Sequence, residues 1–523
     1  MTKRRAPNLC CTGCIKPPWP CVITMAAVFI LLTCPHALTG IQAPSSLVAA
    51  PPSSWQECTG LALTSLRPRV RHRLADAVEE DASTAVTPLR GPVPGSASHI
   101  ALTHSHVMSL TTAACPGTQQ PTLVFTTIGG FGDRLKGMVT AYYAALLTHA
   151  KFRVSWTVPS PIAPYFDVDP ALLWEKDNTG LSDNPDYEPF ETHLVVPGAS
   201  AVDVIDVYVF FTDPANDLLA GLAPPANGTV TVLRTNAPSW LEVVRHPSLR
   251  RAAELYGLAD LSRRDLFVLA VQAVLRRFKP VVMEAALSAL PKPLQAPVRK
   301  NLAYGFVGAG VASGDAGRKK YPGVNVARLA RRRGGIRLPN YREDLGPAPS
   351  RRLHEDAPVP ALIGVQIRTG GIGEAWNDSE HRHPMGSARC FADQAKEWCL
   401  KVYSGMCVVF LTADSRAAAH AFVSALNGTG IAVMQTRGPI LHTDRGVPVT
   451  SRPRYALTRA SADPWLKTYA DWAALSQADV LLMSHSGYGL TAAWAGGVSH
   501  VQQLHKGGSC EWARLDDCAE LPG

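Results

Sequence analysis

Residues 123–149 read LVFTTIGGFGDRLKGMVTAYYAALLTH, and the rest of the 523-residue chain is organised around them. The run Leu123-Val124-Phe125-Thr126-Thr127-Ile128 is β-branched and aromatic, the composition of a buried strand. Gly129-Gly130-Phe131-Gly132 follows as a tight loop. Apolar residues then recur at Leu135, Met138, Val139, Tyr142, Ala145 and Leu146, the three-and-four spacing of one helix face. Phe152-Arg153-Val154-Ser155-Trp156 is the next strand candidate. Strand, glycine turn, helix and strand make a βαβ unit, whose loop lies where open α/β sheets bind ligands. Glycines let backbone approach a ligand, and free N–H groups at a helix start suit an anion. Asp133 and Arg134, in the first turn, are placed to reach the mouth of that crevice. The loop lacks both the G-x-G-x-x-G spacing and the Walker pattern, so alone it reads equally as a structural turn.

The last third of the chain repeats the α/β alternation. Strands are expected at 361–367, 406–411, 431–435, 480–483 and finally 498–504, with helices at 391–403, 416–426, 465–476 and 490–495. Strands separated by helices imply a parallel sheet. Between the two regions, 202–211 and 229–234 are strand-like and 247–290 is helical in pattern. From 308 to 358 the composition turns to Gly, Ala, Arg and Pro, as in a connection carrying an insert. Two α/β domains, 118–307 and 360–523, would face each other across a cleft suited to a nucleotide sugar.

Functional residues in such a sheet belong just past the C-terminal ends of strands. Three of those ends are polar: Gln366-Ile367-Arg368-Thr369-Gly370, Thr412-Ala413-Asp414-Ser415, and Ser484-His485-Ser486-Gly487-Tyr488. Taken singly, each has a bland explanation. An Arg after a strand is usually a surface ion pair, a Ser or Asp before a helix is usually a cap, and Ser-His-Ser-Gly is often a turn. Taken together they supply a guanidinium, a carboxylate, hydroxyls and an aromatic ring, the inventory that grips a nucleoside diphosphate. A hydrolase triad on Ser484 and His485 is disfavoured, because no G-x-S-x-G elbow is present.

At these residues the chain resembles the fucosyltransferase superfamily of GT-B-like enzymes, including plant xyloglucan α-1,2-, bacterial nodulation α-1,6- and protein O-fucosyltransferases. Gly130-Phe131-Gly132-Asp133-Arg134-Leu135 resembles the plant G-L-G-N-R-I, with Asp133 in place of Asn, and 145–148 matches the later A-L-L-T. Gly364-Val365-Gln366-Ile367-Arg368 resembles G-x-Q-I-R, with Gln366 where many members carry His. Residues 410–415, FLTADS, resemble F-x-A-T-D-S, and 484–488 occupy the place of a third, Ser/Thr-rich motif. The resemblance implies a GDP-fucose donor, inversion at the anomeric carbon and no required metal or cofactor. It implies that Arg368 holds the β-phosphate, Asp414 reads guanine, Ser484 and Ser486 contact phosphate, and Tyr488 packs near base or ribose. Gly130, Gly132, Arg134, Gln366, Ser415 and His485 complete the expected donor site. An inverting transfer also needs a base, for which Asp133 is the first candidate, ahead of Glu374 and Asp378. Two rivals remain: a transferase of the same architecture using another nucleotide sugar, and a non-catalytic lumenal binding protein.

Bulk properties agree with a large globular chain. Hydrophobic residues make up 46% and charged residues 18%, and a mean hydropathy of +0.02 argues against a polytopic membrane protein. The +9 charge accompanies no zinc finger, RNA-recognition signature or basic stripe, so nucleic acid is not an expected partner. Lys3, Arg4, Arg5 and Lys16 precede an apolar run, which predicts a cytosolic tail (1–18), a signal-anchor or signal peptide (19–36) and a stem (37–117). The bulk of the chain would then lie in the ER or Golgi lumen as a single-pass type II protein, acting on a glycan or glycoprotein acceptor. Seven of the 12 cysteines lie beyond the span in no zinc-site spacing, and Cys510 with Cys518 is the expected C-terminal disulfide.

Overall fold

A computed structural model describes residues 100, 120–127, 129–156, 160–174, 193–195, 207–218, 222, 230–303, 306, 359–371, 383–440, 463, 465–506 and 509–515. The expected tail and membrane segment lie outside these residues, as do the 308–358 connection, Glu374, Asp378 and the expected stem apart from Ile100, which is buried in the core and so belongs to the folded part of the chain. No helix of the described residues is long and apolar enough to cross a membrane.

The opening βαβ unit is present: β1 (Thr122–Thr126), α1 (Phe131–Leu147) and β2 (Lys151–Ser155). Further on come β3 (His193–Val195), α2 (Val207–Thr212) and β4 (Val230–Arg234). The helical region then resolves into α3 (Trp240–Arg245), α4 (Arg250–Leu255), α5 (Arg263–Leu275), α6 (Pro280–Ser288) and α7 (Lys292–Ala303). The first sheet runs β2-β1-β4-β3, with β1 parallel to both its neighbours and β3 antiparallel to β4. Residues 207–211, read as strand from their β-branched and aromatic content, are helical. That short helix buries Phe211 and packs against α3, a tertiary contact that outweighs β-propensity.

The second half forms β5 (Ala361–Ile367), α8 (Ser387–Glu397), β6 (Cys407–Ala413), α9 (Arg416–Leu426) and β7 (Ala432–Met434). It continues as α10 (Leu466–Leu475), β8 (Val480–Met483), α11 (Gly487–Gly496), β9 (His500–Leu504) and β10 (Trp512–Leu515). Strand order is β10-β9-β8-β5-β6-β7, parallel throughout except for β10. The expected final strand is therefore followed by another, and both sheets are mixed, each closed by one antiparallel edge strand. β10 carries the sequence WARL, too short and too polar to announce itself.

The hairpin into β10 also corrects the disulfide. Trp512 returns against Phe391 of α8, ring centroids 5.0 Å apart, and this carries Cys510 to Cys390 rather than to Cys518. Cys399 bonds Cys407 across a single π turn (Trp398–Val402) after α8.

The two sheets do not have separate cores. Alternate residues of β5 face opposite ways: Ile363 and Val365 pack under α8 and α9, whereas Leu362 joins Phe410, Leu481 and Met483 on the other face. That second face carries α10 and α11 into the core of the first sheet. Trp494 of α11 meets Phe267 at 5.4 Å and Trp240 at 6.0 Å, and Trp472 of α10 meets Phe278 at 5.7 Å. Each such side chain contributes about 1.5–3 kcal/mol by burial, so separating the sheets would be expensive. Helix α1 sits at this junction, against β1, α3, α5 and α11. It is buried nearly all round, including Arg134, Lys136 and Thr140, not on the single stripe its apolar spacing predicts.

Candidate active site

Strand order in the second sheet reverses between β5 and β8, the place where an open α/β sheet leaves a crevice at its C-terminal edge. The two strand ends are stitched there. Ser484 donates its backbone N–H to the Gln366 carbonyl at 2.9 Å, and the Arg368 N–H donates to Ser484 Oγ at 2.8 Å. Ser484 is fully buried and lies behind the crevice, so its position is set by this seam.

Beyond Arg368 the chain turns through Gly370 (φ +91°) and Gly371 (φ +74°), angles that L side chains rarely adopt. The turn wraps the Asp414 carboxylate, which accepts from the N–H groups of Thr369 (2.9 Å), Gly370 (2.8 Å) and Gly371 (3.2 Å) and from Thr369 Oγ1 (2.9 Å). Asp414 thus fixes the loop that carries Arg368. Ser415 caps α9, accepting from Ala418 N–H, and Ser486 caps α11, accepting from Tyr488 N–H. The His485 N–H meets His383 Nε2 at 3.5 Å on the buried side.

The glycine loop after β1 comes to the same place. A Cβ on Gly132 would lie 2.5 Å from both Gly487 C and Tyr488 N, so the first turns of α1 and α11 touch backbone to backbone. Gly130 enters α1 with no side-chain cap. Two helices therefore present their positive ends and unsatisfied N–H groups to one spot, a favourable site for an anion.

A cleft with about 710 Å³ of free space, continuous with open solvent, lies over this junction, lined by Gly130, Gly132, Asp133, Gln366, Arg368, Asp414, Ser486 and Tyr488 among the expected residues. Arg134, Ser415, Ser484 and His485 do not line it. Arg134 turns away from the mouth it was expected to reach. Its guanidinium donates to the Gly129 carbonyl and Thr127 Oγ1, both at 2.7 Å, and lies 6.0 Å from the Trp156 ring. Gln366 is 5% exposed, and its Oε1 has no hydrogen-bond partner among the described residues, an acceptor left open in the cleft wall. Tyr488 donates its hydroxyl to the Thr468 carbonyl at 2.5 Å, and burial holds that hydroxyl well above the usual phenol range. It remains a neutral donor and cannot serve as a proton acceptor.

The wall also holds a group that sequence reasoning missed. Lys467 and Asp471, one turn apart on α10, pair at 2.7 Å, and the Asp471 carboxylate also accepts from Thr412 Oγ1 (3.0 Å) and Thr436 Oγ1. This network clamps the ends of β6 and β7 to α10 and lines the cleft at Lys467, Thr412 and Asp471. The one available signal was an i,i+4 charge pair inside an otherwise apolar helix.

No protein-family model and no curated protein sequence matches the chain. Twenty chains of solved structures are similar to it, these three among them. A mutant of Arabidopsis thaliana FUT1 in complex with GDP has 13% identity over 76% of this chain and 74% of its own, with a TM-score of 0.40. NodZ α-1,6-fucosyltransferase soaked with GDP-fucose has 12% identity over 76% of this chain and 99% of its own, TM-score 0.32. Fucosyltransferase NodZ from Bradyrhizobium has 12% identity over 76% and 100%, TM-score 0.31.

Proposed function

We propose that this chain is a glycosyltransferase that moves fucose from GDP-fucose to a hydroxyl of a glycan or protein, with inversion, in the lumen of the secretory pathway. The observation that carries the reading is the convergence in one cleft of Arg368, at the strand-order reversal, with the abutting N-termini of α1 and α11. Those groups suit a diphosphate: the guanidinium forks onto phosphate oxygens while N–H groups and helix dipoles favour the anion. In a departing GDP they would neutralise the developing charge without a metal. The sequence motifs resembling fucosyltransferases meet at this cleft, which supports a guanosine donor over another nucleotide.

Within this reading Asp414 acts by holding the Arg368 loop, since its oxygens accept from residues 369–371. The open Gln366 Oε1 is an acceptor for a donor N–H or O–H. Tyr488 offers a ring at the same wall. Asp133, at the mouth, is the base that takes the acceptor proton. Two disulfides among the described residues agree with an oxidising lumen, and Asn427 of the Asn427-Gly428-Thr429 sequon is exposed at the end of α9.

The test is calorimetric titration of the full chain with GDP, UDP, GDP-fucose and GDP-mannose, without added metal. Selective binding of GDP and GDP-fucose is expected. Preference for UDP, or silence toward all four from folded protein, would refute the donor assignment.

A further inference from the structure

Helix α1 buries a lysine where its apolar surroundings offer no reason for one. Lys136 has a side chain 7% exposed, and its Nζ lies 2.8 Å from Asp133 Oδ1 one turn earlier. Asp133 is 29% exposed and lines the cleft. A buried ion pair adds little net stability, because desolvation offsets the Coulomb attraction. Retaining this one makes sense if the pair sets the state of a reacting group.

The packing around it is specific. A Cβ on Gly487 would lie 3.3 Å from Asp133 Oδ1 and 3.4 Å from Lys136 Nζ, and one on Gly129 would lie 3.3 Å from Asp133 Oδ2. Glycine on both flanks gives the carboxylate room, with Oδ1 toward Lys136 and the α11 terminus and Oδ2 on the Gly129 side. Charged groups face Asp133 from several elements. Lys136 faces it from its own helix and the positive end of α11 from the other sheet. Arg368, Lys467, Asp471 and Asp414 line the remaining cleft wall, and Arg134 is turned inward to Thr127.

We propose that Lys136 is a positioning residue that holds the Asp133 carboxylate in the orientation of a general base; this rests on the transferase reading above. In the step it supports, the acceptor oxygen bonds to the anomeric carbon. The bond from that carbon to the β-phosphate oxygen breaks, and its electron pair leaves with GDP. The acceptor proton passes to the Asp133 carboxylate and then to solvent.

The experiment measures GDP released from GDP-fucose by the full chain, with water as acceptor, from pH 5 to 9. Lys136→Met should bind GDP within about twofold of wild type. Its turnover should fall roughly 10- to 100-fold across the pH range as the carboxylate loses its orientation, and the acidic limb of its rate profile should move up, the direction expected when an ionised carboxylate loses its cation. Lys136→Arg should restore most of the rate. Asp133→Asn should be slow at every pH, and Asp133→Asn with Lys136→Met should be no slower, since the lysine acts through the carboxylate. That double variant leaves no unpaired buried charge, so it remains informative even where Lys136→Met alone fails to fold. A wild-type rate and pH limb in Lys136→Met, or a double variant far slower than Asp133→Asn, overturns the proposal. A wild-type chain that binds GDP-fucose yet whose turnover is unaffected by Asp133→Asn overturns the base assignment and leaves the donor reading standing. Absence of any GDP binding overturns the donor reading itself.

Discussion

Gly132→Ala is the sharpest single test of the cleft. Gly132 is helical and carries no backbone requirement for glycine, so intrinsic propensity alone would make the change favourable by up to about 1 kcal/mol. The contact decides otherwise. Its new Cβ would stand 2.5 Å from Gly487 C and Tyr488 N, and reaching an ordinary 3.4 Å separation moves the two helix starts apart by about 0.9 Å. Overpacking of this kind costs about 1–3 kcal/mol, much of it offset by the helix preference, so the thermal midpoint should change by only a few degrees. A displacement near 1 Å in a site that positions a leaving group costs about 10²-fold in rate. The expected result is thus a folded protein whose transfer rate falls about 100-fold and whose GDP affinity falls roughly tenfold. Calorimetry, steady-state GDP release and thermal unfolding measure the three quantities. Two alanine controls separate cause from stability. Gly386→Ala meets nothing within 4 Å and should be silent, while Gly137→Ala, 1.8 Å from the Thr235 carbonyl, should destabilise the fold instead. Gly132→Ala protein with wild-type affinity and rate would refute the contact between helix starts as part of the donor site.

Arg368→Ala should abolish transfer and GDP binding yet leave the thermal midpoint nearly unchanged, because the seam to Ser484 uses the backbone N–H; an active, folded variant removes Arg368 from the site. Asp479, beneath β5 at the opposite end, has its pKa raised by burial from 3.8 to about 6, against the lowering effect of the Leu362 N–H. A carboxyl with a raised folded pKa binds more protons in the native state, so its contribution to stability declines as pH rises from about 4 to about 6, by roughly 3 kcal/mol in all. Asp479→Asn should therefore be more stable than wild type at pH 7.5 and equal to it near pH 4, and denaturant titrations showing a constant difference would exclude the effect. Replacing Cys390 and Cys510 by Ser opens a cross-link spanning 120 residues and should lower stability by up to about 5 kcal/mol in the chain-entropy account, measured by thermal unfolding with and without reductant. An unchanged midpoint would contradict the pairing.

Much of the fold is legible in the chain because its signals are local. The β5, α9 and β8 boundaries coincide with the ends of their β-branched and helical runs, and a glycine loop between a strand and a helix marks the first crevice. Which polar strand ends meet at the cleft is also legible, since the C-terminal ends of parallel strands converge wherever the sheet reverses its order. Other features depend on residues far apart in sequence. Only packing decides that Gly132 touches Gly487, that Asp133 faces the cleft while Arg134 turns inward, and that Cys510 reaches Cys390. The same holds for α1, where a one-sided apolar stripe becomes a helix buried all round because α11 covers its other side. Tertiary burial turns Lys136 and Lys467, neither singled out from the sequence, each into half of an ion pair at the cleft. Composition and periodicity therefore determine the α/β class and the strand ends, whereas side-chain direction and partnership follow from close packing between segments hundreds of residues apart, which no local pattern encodes.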